Sequence, residues 1–264
     1  MKLSIITINY NNCEGLRKTL NSVISQTYKD FEWIVIDGGS MDGSRELIEQ
    51  YQNEMAYWCS EPDKGIYHAM NKGIAKAHGE YLQFLNSGDA LANNIVLSEF
   101  INSHPNVDVI YGNAIFVNEN DVEDGKYLAP EKLRLSYFWS HSLNHQATFF
   151  HKRCFSYFQY DENLRIASDV KLYMELLLKG YTFQKIELDI VRYNNSGLST
   201  QITEGEFSSV VDNILPKAIK DDYDELIAFR DVDLAIIIRK IIHSPRIVRY
   251  IARFLLYPLY YIIK

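Results

Sequence analysis

Two short apolar runs that end in polar, glycine-containing tips constrain this chain more than any other feature. Residues 32–43 run from Glu-Trp-Ile-Val-Ile into Asp-Gly-Gly-Ser, and residues 82–89 run from Leu-Gln-Phe-Leu into Asn-Ser-Gly-Asp. In α/β sheets such tips lie at the carboxyl ends of strands, where ligands bind. Two acidic tips on neighbouring strands suit a nucleotide together with a divalent metal ion, which indicates chemistry on an activated phosphate ester.

The spacing of apolar residues predicts alternating strands and helices through residue 112. Strands are expected over 2–8, 31–36, 56–59, 81–85 and 107–111, and helices over 14–26, 65–78 and 95–101, with another beginning near Asp42. Because strand and helix alternate in this way, we expect a Rossmann-like, mostly parallel central sheet with helices on both faces.

The pattern changes after Gly112. Residues 113–165 are typical of an irregular β insertion with aromatic loops, followed by a helix over 169–179 and a strand over 182–191. Residues 203–230 are predicted to be helical and charged. The sequence therefore predicts one α/β domain over residues 1–200 and a helical C-terminal extension over 201–264.

Charge and cysteine content limit the partners and the compartment. The net charge is −7, although six basic residues and no acidic one follow Leu234, so the preceding body is strongly acidic and nucleic acid is not an expected partner. The three cysteines are an odd number and form no Cys-x-x-Cys pair, which favours a reducing compartment. No signal peptide pattern precedes the first strand, and a cytoplasmic location is therefore expected.

The tail combines apolar and basic residues over 234–263. Its longest clean apolar run, 254–263, contains Pro258 and is shorter than the roughly 20 residues needed to span a bilayer. Arginines among aliphatic and aromatic residues predict a basic amphipathic helix lying on the inner face of the cell membrane. The alternative is a helix docked on the domain or on a second subunit, which leaves a homodimer open.

The two tips offer complementary chemistry. Asp37 can accept the imide N–H of a uracil, and Gly38 and Gly39 allow close backbone approach. Asp89 can hold Mg²⁺ or Mn²⁺ where phosphate oxygens supply the other ligands. Each segment also reads as a simple turn, since Asp, Asn, Ser and Gly all favour turns.

Taken together, the motifs of the first ninety residues resemble family 2 of the inverting GT-A glycosyltransferases, of the bacterial surface-polysaccharide type. The matching stretches, in the family's order, are residues 4–11, 25–32, 36–43, 61–73 and 79–89, and a weaker likeness continues at 144–150 and 167–169. The resemblance fades beyond Ser199. It implies a GT-A catalytic domain over 1–200, with a nucleotide-binding half (1–112) and an acceptor half (113–200).

The resemblance also implies which residues bind the nucleotide-sugar donor. They are Ile8, Asn9 and Tyr10 at the base, Asp37 at uracil, Asp63, Lys64, Gly65 and Asn71 near the base and ribose-phosphate, and Asn86, Ser87 and Asp89 at the diphosphate. Asp89 would be the ligand of a divalent metal, Mn²⁺ or Mg²⁺. The family commonly has Asp at the places of Asn86 and Gly88, so only Asp89 keeps its carboxylate, and His68 replaces another frequent Asp.

On the acceptor side, the resemblance implies that Asp169 is the general base, because the family places an Asp at the start of a helix in its second half. A non-catalytic charge at a helix N-terminus is the alternative. His145 and Gln146 are expected to border the acceptor and the donor sugar, although a structural role suits His145 nearly as well. Residues 196–199 resemble a loop that closes over the donor.

The expected function is transfer of a sugar from a nucleotide-sugar, with UDP as the expected nucleotide, to a glycan or polyprenyl-linked acceptor with inversion (EC class 2.4). One alternative is a sugar nucleotidylyltransferase, but that class needs a glycine-rich, basic loop after the first strand, where this chain has Asn9-Tyr10-Asn11-Asn12. The other is a degenerate nucleotide-sugar or glycan-binding module, motivated by Asn86 and Gly88.

Overall fold

The computed structural model describes residues 3–118, 120–139, 141–194, 204–215 and 221. Within these residues, one sheet is built from β1 (Leu3–Asn9), β2 (Phe31–Asp37), β3 (Tyr57–Ser60), β4 (Tyr81–Phe84), β5 (Ala90–Leu91), β6 (Val109–Val117), β7 (Glu123–Tyr127), β8 (Thr148–His151) and β9 (Phe183–Asn194). The helices are α1 (Cys13–Ile24), α2 (Ser44–Gln50), α3 (Ile66–Lys76), α4 (Val96–Asn102), α5 (Ser168–Leu178) and α6 (Glu204–Ile214).

The sheet has the strand order β3-β2-β1-β4-β8-β6-β9-β5, with β7 paired to β6. β1 pairs in parallel with β2 and β4, and β2 pairs in parallel with β3. β8 lies antiparallel between β4 and β6, so that β4, β6 and β9 point the same way. The predicted α/β fold with a mostly parallel core is confirmed, and the carboxyl ends of β1, β2 and β4 meet at one edge.

The central strands are buried because helices cover both faces of the sheet. All seven residues of β1 are buried, and α1 presents Leu16, Leu20 and Val23 to the core. α3 packs unusually close to β1, since a Cβ at Gly73 would lie 2.3 Å from Cγ2 of Ile6. This close packing fixes the position of α3, whose N-terminus reaches the edge where β1 ends.

The second half of the sheet differs from the prediction for residues 113–165. β6 does not stop at Gly112 but continues to Val117, and β8 is a central strand rather than part of an irregular insertion. Gly112 lies where the register between β6 and β9 shifts, and a Cβ there would be 2.6 Å from the carbonyl oxygen of Leu188. The glycine therefore marks a close approach of two backbones and not the end of a strand.

The described part of the C-terminal region is short. Residues up to Ile214 form one compact unit, so α6 belongs with the sheet, beyond the predicted boundary at residue 200. Most of the predicted 203–230 helix beyond α6, the basic tail and the 196–199 loop lie outside the described residues. Among the described residues, no helix is both long and apolar enough to cross a membrane.

Candidate active site

A cavity of about 860 Å³ opens at the edge of the sheet where β1, β2 and β4 end. Ten of the residues singled out from the sequence line it: Ile8, Asn9, Tyr10, Asp63, Gly65, Asn86, Ser87, Asp89, His145 and Gln146. The two tips recognised in the sequence therefore do converge on one concave surface. Asp37, Lys64, Asn71 and Asp169 are the predicted site residues that occupy other places.

Asp37 lies beneath the cavity and not on its surface. Its side chain is fully buried, and its carboxylate accepts hydrogen bonds from Asn9 Nδ2 at 2.7 Å, from the hydroxyls of Ser40 and Ser60 at 2.6 Å each, and from Ser40 N at 2.9 Å. Burial acts to raise the pKa of Asp37, but these hydrogen bonds outweigh burial and hold the pKa below its ordinary value. In this structure a base could meet Asp37 only if one of these bonds opened.

The wall of the cavity above Asp37 is formed by Tyr10 and Asp63. Gly38 lies between them, since a Cβ on it would be 2.8 Å from Asp63 Oδ2 and 3.1 Å from Tyr10 Cδ2. The Tyr10 ring is 67% exposed and so presents an aromatic surface to a ligand. Asp63 Oδ1 accepts from Gly65 N at 2.9 Å, which leaves Oδ2 toward the cavity wall. An exposed ring beside a carboxylate is suited to a planar base that donates an N–H.

Lys64 and Gly65 directly precede α3. Gly65 has φ of +128° and ψ of 179°, a conformation that only glycine adopts readily, and it is the residue before the first turn of the helix. The backbone N–H of Lys64 donates to Nδ1 of His68 at 3.2 Å, so His68 caps the segment that precedes the helix. The Lys64 side chain is exposed and does not line the cavity.

The segment Asn86–Asp89, here named the acidic turn, is held from below by α1. The buried hydroxyl of Thr19 donates to the Asp89 carbonyl at 2.6 Å and accepts from Gly88 N at 3.1 Å. Gly88 has φ of +103°, in the left-handed region that favours glycine. The Asp89 side chain is 5% exposed, and its Oδ2 accepts from Gln146 Nε2 at 3.0 Å.

The residues present suit a hard cation at the acidic turn. Asp89 supplies a carboxylate at the cavity, and Oδ1 of Asn86 is buried without a hydrogen-bond partner among the described residues. Oxygen donors of this kind are the ligands that Mg²⁺ and Mn²⁺ take. Over the same residues no cluster of three or more His, Cys, Asp or Glu is placed to hold a metal. A metal here would therefore need oxygens of the ligand as well.

A 3₁₀ turn over His145–Ala147, here named the bridging turn, contacts the acidic turn. The side chain of Asn144 caps it by accepting from Ala147 N at 3.0 Å. Gln146 reaches Asp89, and Nε2 of His145 lies 3.2 Å from Nδ2 of Asn86. Both residues predicted for the acceptor side are thus brought next to the acidic turn.

Asp169 lies in the first turn of α5, behind His145 as seen from the cavity. Its Oδ2 is 3.6 Å from Nδ1 of His145 and 3.5 Å from the hydroxyl of Ser142, and its side chain is 13% exposed. Its Oδ1 accepts from Val170 N at 2.8 Å. The carboxylate is held in place but keeps limited access to solvent.

Asn71, predicted near the base and ribose-phosphate, lies away from the cavity and contacts the loop over residues 160–162. Its amide donates to the carbonyl of Tyr160 at 2.9 Å and to Glu162 at 3.0 Å, and its Oδ1 accepts from Tyr160 N at 3.1 Å. The side chain therefore fastens α3 to the 160–162 loop, and it does not line the cavity. Every partner lies about ninety residues away, which the local motif could not reveal.

Two residues that the sequence reasoning missed support Asp169. The Tyr67 hydroxyl accepts from Ser168 N at 3.1 Å, and burial, with the charge of Asp169 adding to it, raises the pKa of Tyr67. A single carboxylate oxygen of Glu206, on α6, accepts from three consecutive amides of residues 165–167 at 2.8 to 2.9 Å. Tyr67 belongs to the 61–73 stretch that resembles the family, and this resemblance is the sequence feature that could have indicated its role. No sequence feature indicates a role for Glu206.

Comparison with known proteins identifies the family. Residues 4–163 match the sequence model of Glycosyl transferase family 2. This chain belongs to glycosyl transferase family 2. The family predicted from the sequence, and with it a transferase of EC class 2.4, is confirmed.

Named relatives of this family 2 member come from several bacteria. An uncharacterized glycosyltransferase of Mycobacterium tuberculosis is 44% identical over 100 residues, a match that spans only 38% of each chain. A PGL/p-HBAD biosynthesis glycosyltransferase of Mycobacterium bovis is 28% identical over 213 residues, covering 77% of this chain and 81% of that protein. The Escherichia coli UDP-Glc:alpha-D-GlcNAc-diphosphoundecaprenol beta-1,3-glucosyltransferase WfgD is 31% identical over 133 residues, covering 50% and 52%.

Solved structures share the fold. S. aureus TarS 1–349 in complex with UDP-GlcNAc aligns with a TM-score of 0.65 at 20% identity, covering 84% of this chain and 70% of that one. The mannosyltransferase PcManGT from Pyrobaculum calidifontis, in complex with GDP-Man and Mn²⁺, aligns with a TM-score of 0.54 at 15% identity, covering 70% and 54%. These likenesses confirm the predicted GT-A fold.

Proposed function

We propose that this family 2 member transfers a sugar from a nucleotide-sugar, with UDP as the nucleotide, to a hydroxyl of a glycan or polyprenyl-linked acceptor with inversion. The observation that carries the proposal is the bridging turn, which joins Asp89 at the cavity to Asp169 behind it. A donor-side carboxylate and an acceptor-side carboxylate are thereby held together. TarS with UDP-GlcNAc and the UDP-Glc in the name of WfgD support the choice of donor class.

The base of the donor fits the wall formed by Tyr10 and Asp63. The Tyr10 ring is exposed for stacking, and Asp63 Oδ2 is available beside it to accept the imide N–H of uracil. Asp37 lies beneath this wall, and the hydrogen bond that it accepts from Asn9 joins the ends of β1 and β2. We therefore assign the contact with the base to Asp63 and the support of this wall to Asp37.

The diphosphate of the donor fits the acidic turn. Asp89 and the oxygen of Asn86 would hold Mn²⁺ or Mg²⁺ together with diphosphate oxygens, and PcManGT with GDP-Man and Mn²⁺ supports this choice. When bound, the cation supplies positive charge that stabilises the departing nucleoside diphosphate. Ser87 lines the cavity next to Asp89 and is positioned by Asn12, whose amide donates to its carbonyl at 3.1 Å.

Asp169 takes the proton of the acceptor. The acceptor oxygen attacks the anomeric carbon while the bond from that carbon to the diphosphate oxygen breaks, and the acceptor proton passes to the Asp169 carboxylate. Attack opposite the leaving group inverts the anomeric centre. The bonds from Ser142 and Val170 hold the carboxylate for this step.

The test is UDP release from UDP-glucose and UDP-GlcNAc with Mn²⁺, together with UDP binding by calorimetry. Asp169→Asn is expected to bind UDP normally and to lose about 10²-fold or more in turnover, the scale of a positioned base. Asp124→Asn, an exposed carboxylate on β7, is the matched control. Turnover of Asp169→Asn equal to that of the parent would remove Asp169 from the mechanism.

The same assay separates the alternatives. A transferase releases some UDP even without acceptor, whereas a degenerate binding module binds UDP and releases none above the blank. A nucleotidylyltransferase would instead form nucleotide-sugar from sugar phosphate and UTP with release of pyrophosphate. Membership of family 2 favours the transferase.

The acceptor and the location are part of the proposal. The diphosphoundecaprenol in the name of WfgD supports a polyprenyl-linked acceptor, and the basic apolar sequence over 234–263 suits attachment at the inner face of the cell membrane. Truncation after Asp233 is expected to abolish co-sedimentation with anionic vesicles. Persistent sedimentation at low salt would exclude the tail as the anchor, and a dimer with the tail at its interface would then be sought by light scattering.

A further inference from the structure

The bridging turn connects the two halves of the proposed reaction through adjacent side chains. Gln146 Nε2 donates to Asp89 at 3.0 Å, while His145 contacts Asn86 with Nε2 and faces Asp169 with Nδ1. The turn itself is fixed, because Gln83 of β4 donates to the Gln146 carbonyl at 3.0 Å and Asn144 caps the turn. His145 is therefore the side chain that lies between the acidic turn and Asp169.

The contact with Asn86 selects one form of the His145 ring. In the orientation of the Asn86 amide that leaves Oδ1 open to a cation, and without a hydrogen-bond partner in the part of the chain that the structure describes, Nδ2 lies 3.2 Å from Nε2 of His145, and Nε2 is then the acceptor. A neutral imidazole that accepts at Nε2 carries its proton at Nδ1, which is the atom facing Asp169 Oδ2. The 3.6 Å separation is too long for a hydrogen bond, but such contacts at catalytic carboxylates commonly tighten when substrate binds.

We propose that His145 is a positioning residue for Asp169. Asn86 fixes the tautomer of His145, and the Nδ1–H of His145 orients the Asp169 carboxylate, so that occupation of the acidic turn by the donor and deprotonation of the acceptor are coupled. This inference rests on the proposed function, because it assigns Asp169 as the general base.

Two substitutions of His145, each of which keeps one of the two contacts of the imidazole ring, test the proposal. The amide nitrogen of asparagine takes the place of imidazole Nδ1, so His145→Asn keeps a donor toward Asp169 and loses the contact with Asn86. The amide of glutamine reaches the place of Nε2, so His145→Gln keeps the contact with Asn86 and loses the one with Asp169. His104→Asn is the matched control, since His104 is exposed and its φ of +50° is one that asparagine tolerates.

The readout is kcat and KM for UDP release from UDP-glucose or UDP-GlcNAc with Mn²⁺. We expect His145→Gln to lower kcat about 10-fold or more with KM changed less than about 3-fold, and His145→Asn to stay within about 3-fold of the parent in kcat. In an Asp169→Asn background, His145→Gln should have no further effect. A larger loss in His145→Asn than in His145→Gln, or equal losses, would overturn the proposal.

A second measurement does not depend on activity. Nitrogen-15 NMR of the histidine-labelled protein at pH 8, with the His145 signals assigned from the His145→Gln spectrum, reports which ring nitrogen carries the proton. Protonation at Nδ1 is expected, and protonation at Nε2 would overturn the proposal. If the parent releases no UDP from either donor, the proposed function fails with those donors, while the tautomer still decides the inference.

Discussion

Glu206 is expected to be a major support of the segment that carries Asp169. One of its carboxylate oxygens accepts from the backbone amides of Arg165, Ile166 and Ala167 at 2.9, 2.8 and 2.9 Å. The amide of Arg165 is exposed and can turn to water when the carboxylate is removed, whereas the amides of Ile166 and Ala167 are partly buried. The substitution Glu206→Ala therefore leaves two amides poorly satisfied.

The magnitude follows from those two amides. Each buried donor left without a partner costs about 1–3 kcal/mol, and their partial burial puts the total near 2–4 kcal/mol. For a urea m-value of about 3 kcal/mol/M, the unfolding midpoint should fall by about 1 M. Glu206→Gln keeps an oxygen acceptor at the same place and should lose less than half as much, because only the charge is removed.

The assay is urea unfolding followed by far-UV circular dichroism at pH 7, with UDP release measured on the same samples. Glu54→Ala, at an exposed carboxylate near β3, serves as the control for loss of a surface charge. Turnover should fall in Glu206→Ala, since the segment before Asp169 loosens. An unfolding midpoint equal to that of the parent would refute the assignment of Glu206 to these three amides.

Three further predictions concern stability. Gly73→Ala places a methyl group 2.3 Å from Cγ2 of Ile6 and should lower the free energy of unfolding by about 1–3 kcal/mol. Gly205→Ala, where a Cβ would have nothing within 4 Å, is the control and should be neutral or stabilising by up to about 1 kcal/mol. A loss of stability of equal size in both variants, measured by urea unfolding, would contradict the packing described for α3. Because the pKa of Asp37 is held below its ordinary value, its ionised form contributes stability above the unfolded pKa, and this contribution is lost as the pH falls through the folded pKa. Asp37→Asn should therefore be less stable than the parent at pH 7, with a difference that narrows below about pH 4; a difference independent of pH would exclude this role. Asn71→Ala should lower the melting temperature and leave the calorimetric dissociation constant of UDP unchanged, since Asn71 fastens α3 to the 160–162 loop; weakened UDP binding at full stability would restore its predicted role at the donor.

Sequence reasoning located the edge of the sheet where the site lies, because strand ends leave a local signature. Tyr10, Asp63 and the acidic turn all line the cavity, as expected from their place directly after strands or before a helix. The continuation of β6 beyond Gly112 was not predicted, because this glycine resembles a strand end in the sequence and is in fact a close contact with β9. The antiparallel insertion of β8 between β4 and β6 was not predicted either, because strand order depends on pairing between segments distant in the chain.

The roles that sequence reasoning missed depend on partners distant in the chain. Asp37 has the expected place at the end of β2, but its carboxylate is buried and accepts hydrogen bonds from Asn9 and Ser60. No local sequence pattern distinguishes a buried Asp of this kind from one that faces a ligand. Asn71 and Glu206 are occupied by backbone groups about ninety and forty residues away. The side chains at the surface of the cavity were thus easier to predict than those that hold it in place.

A crystal structure with UDP and Mn²⁺ bound is the most direct test of the central claim that one cavity holds the nucleotide at Tyr10 and Asp63 and its diphosphate at Asp89. We predict uracil beside Tyr10, its imide N–H on Asp63, and Mn²⁺ bound at Asp89, with the hydrogen bonds of Asp37 unchanged. A nucleotide bound elsewhere, or a metal held without Asp89, would contradict the account.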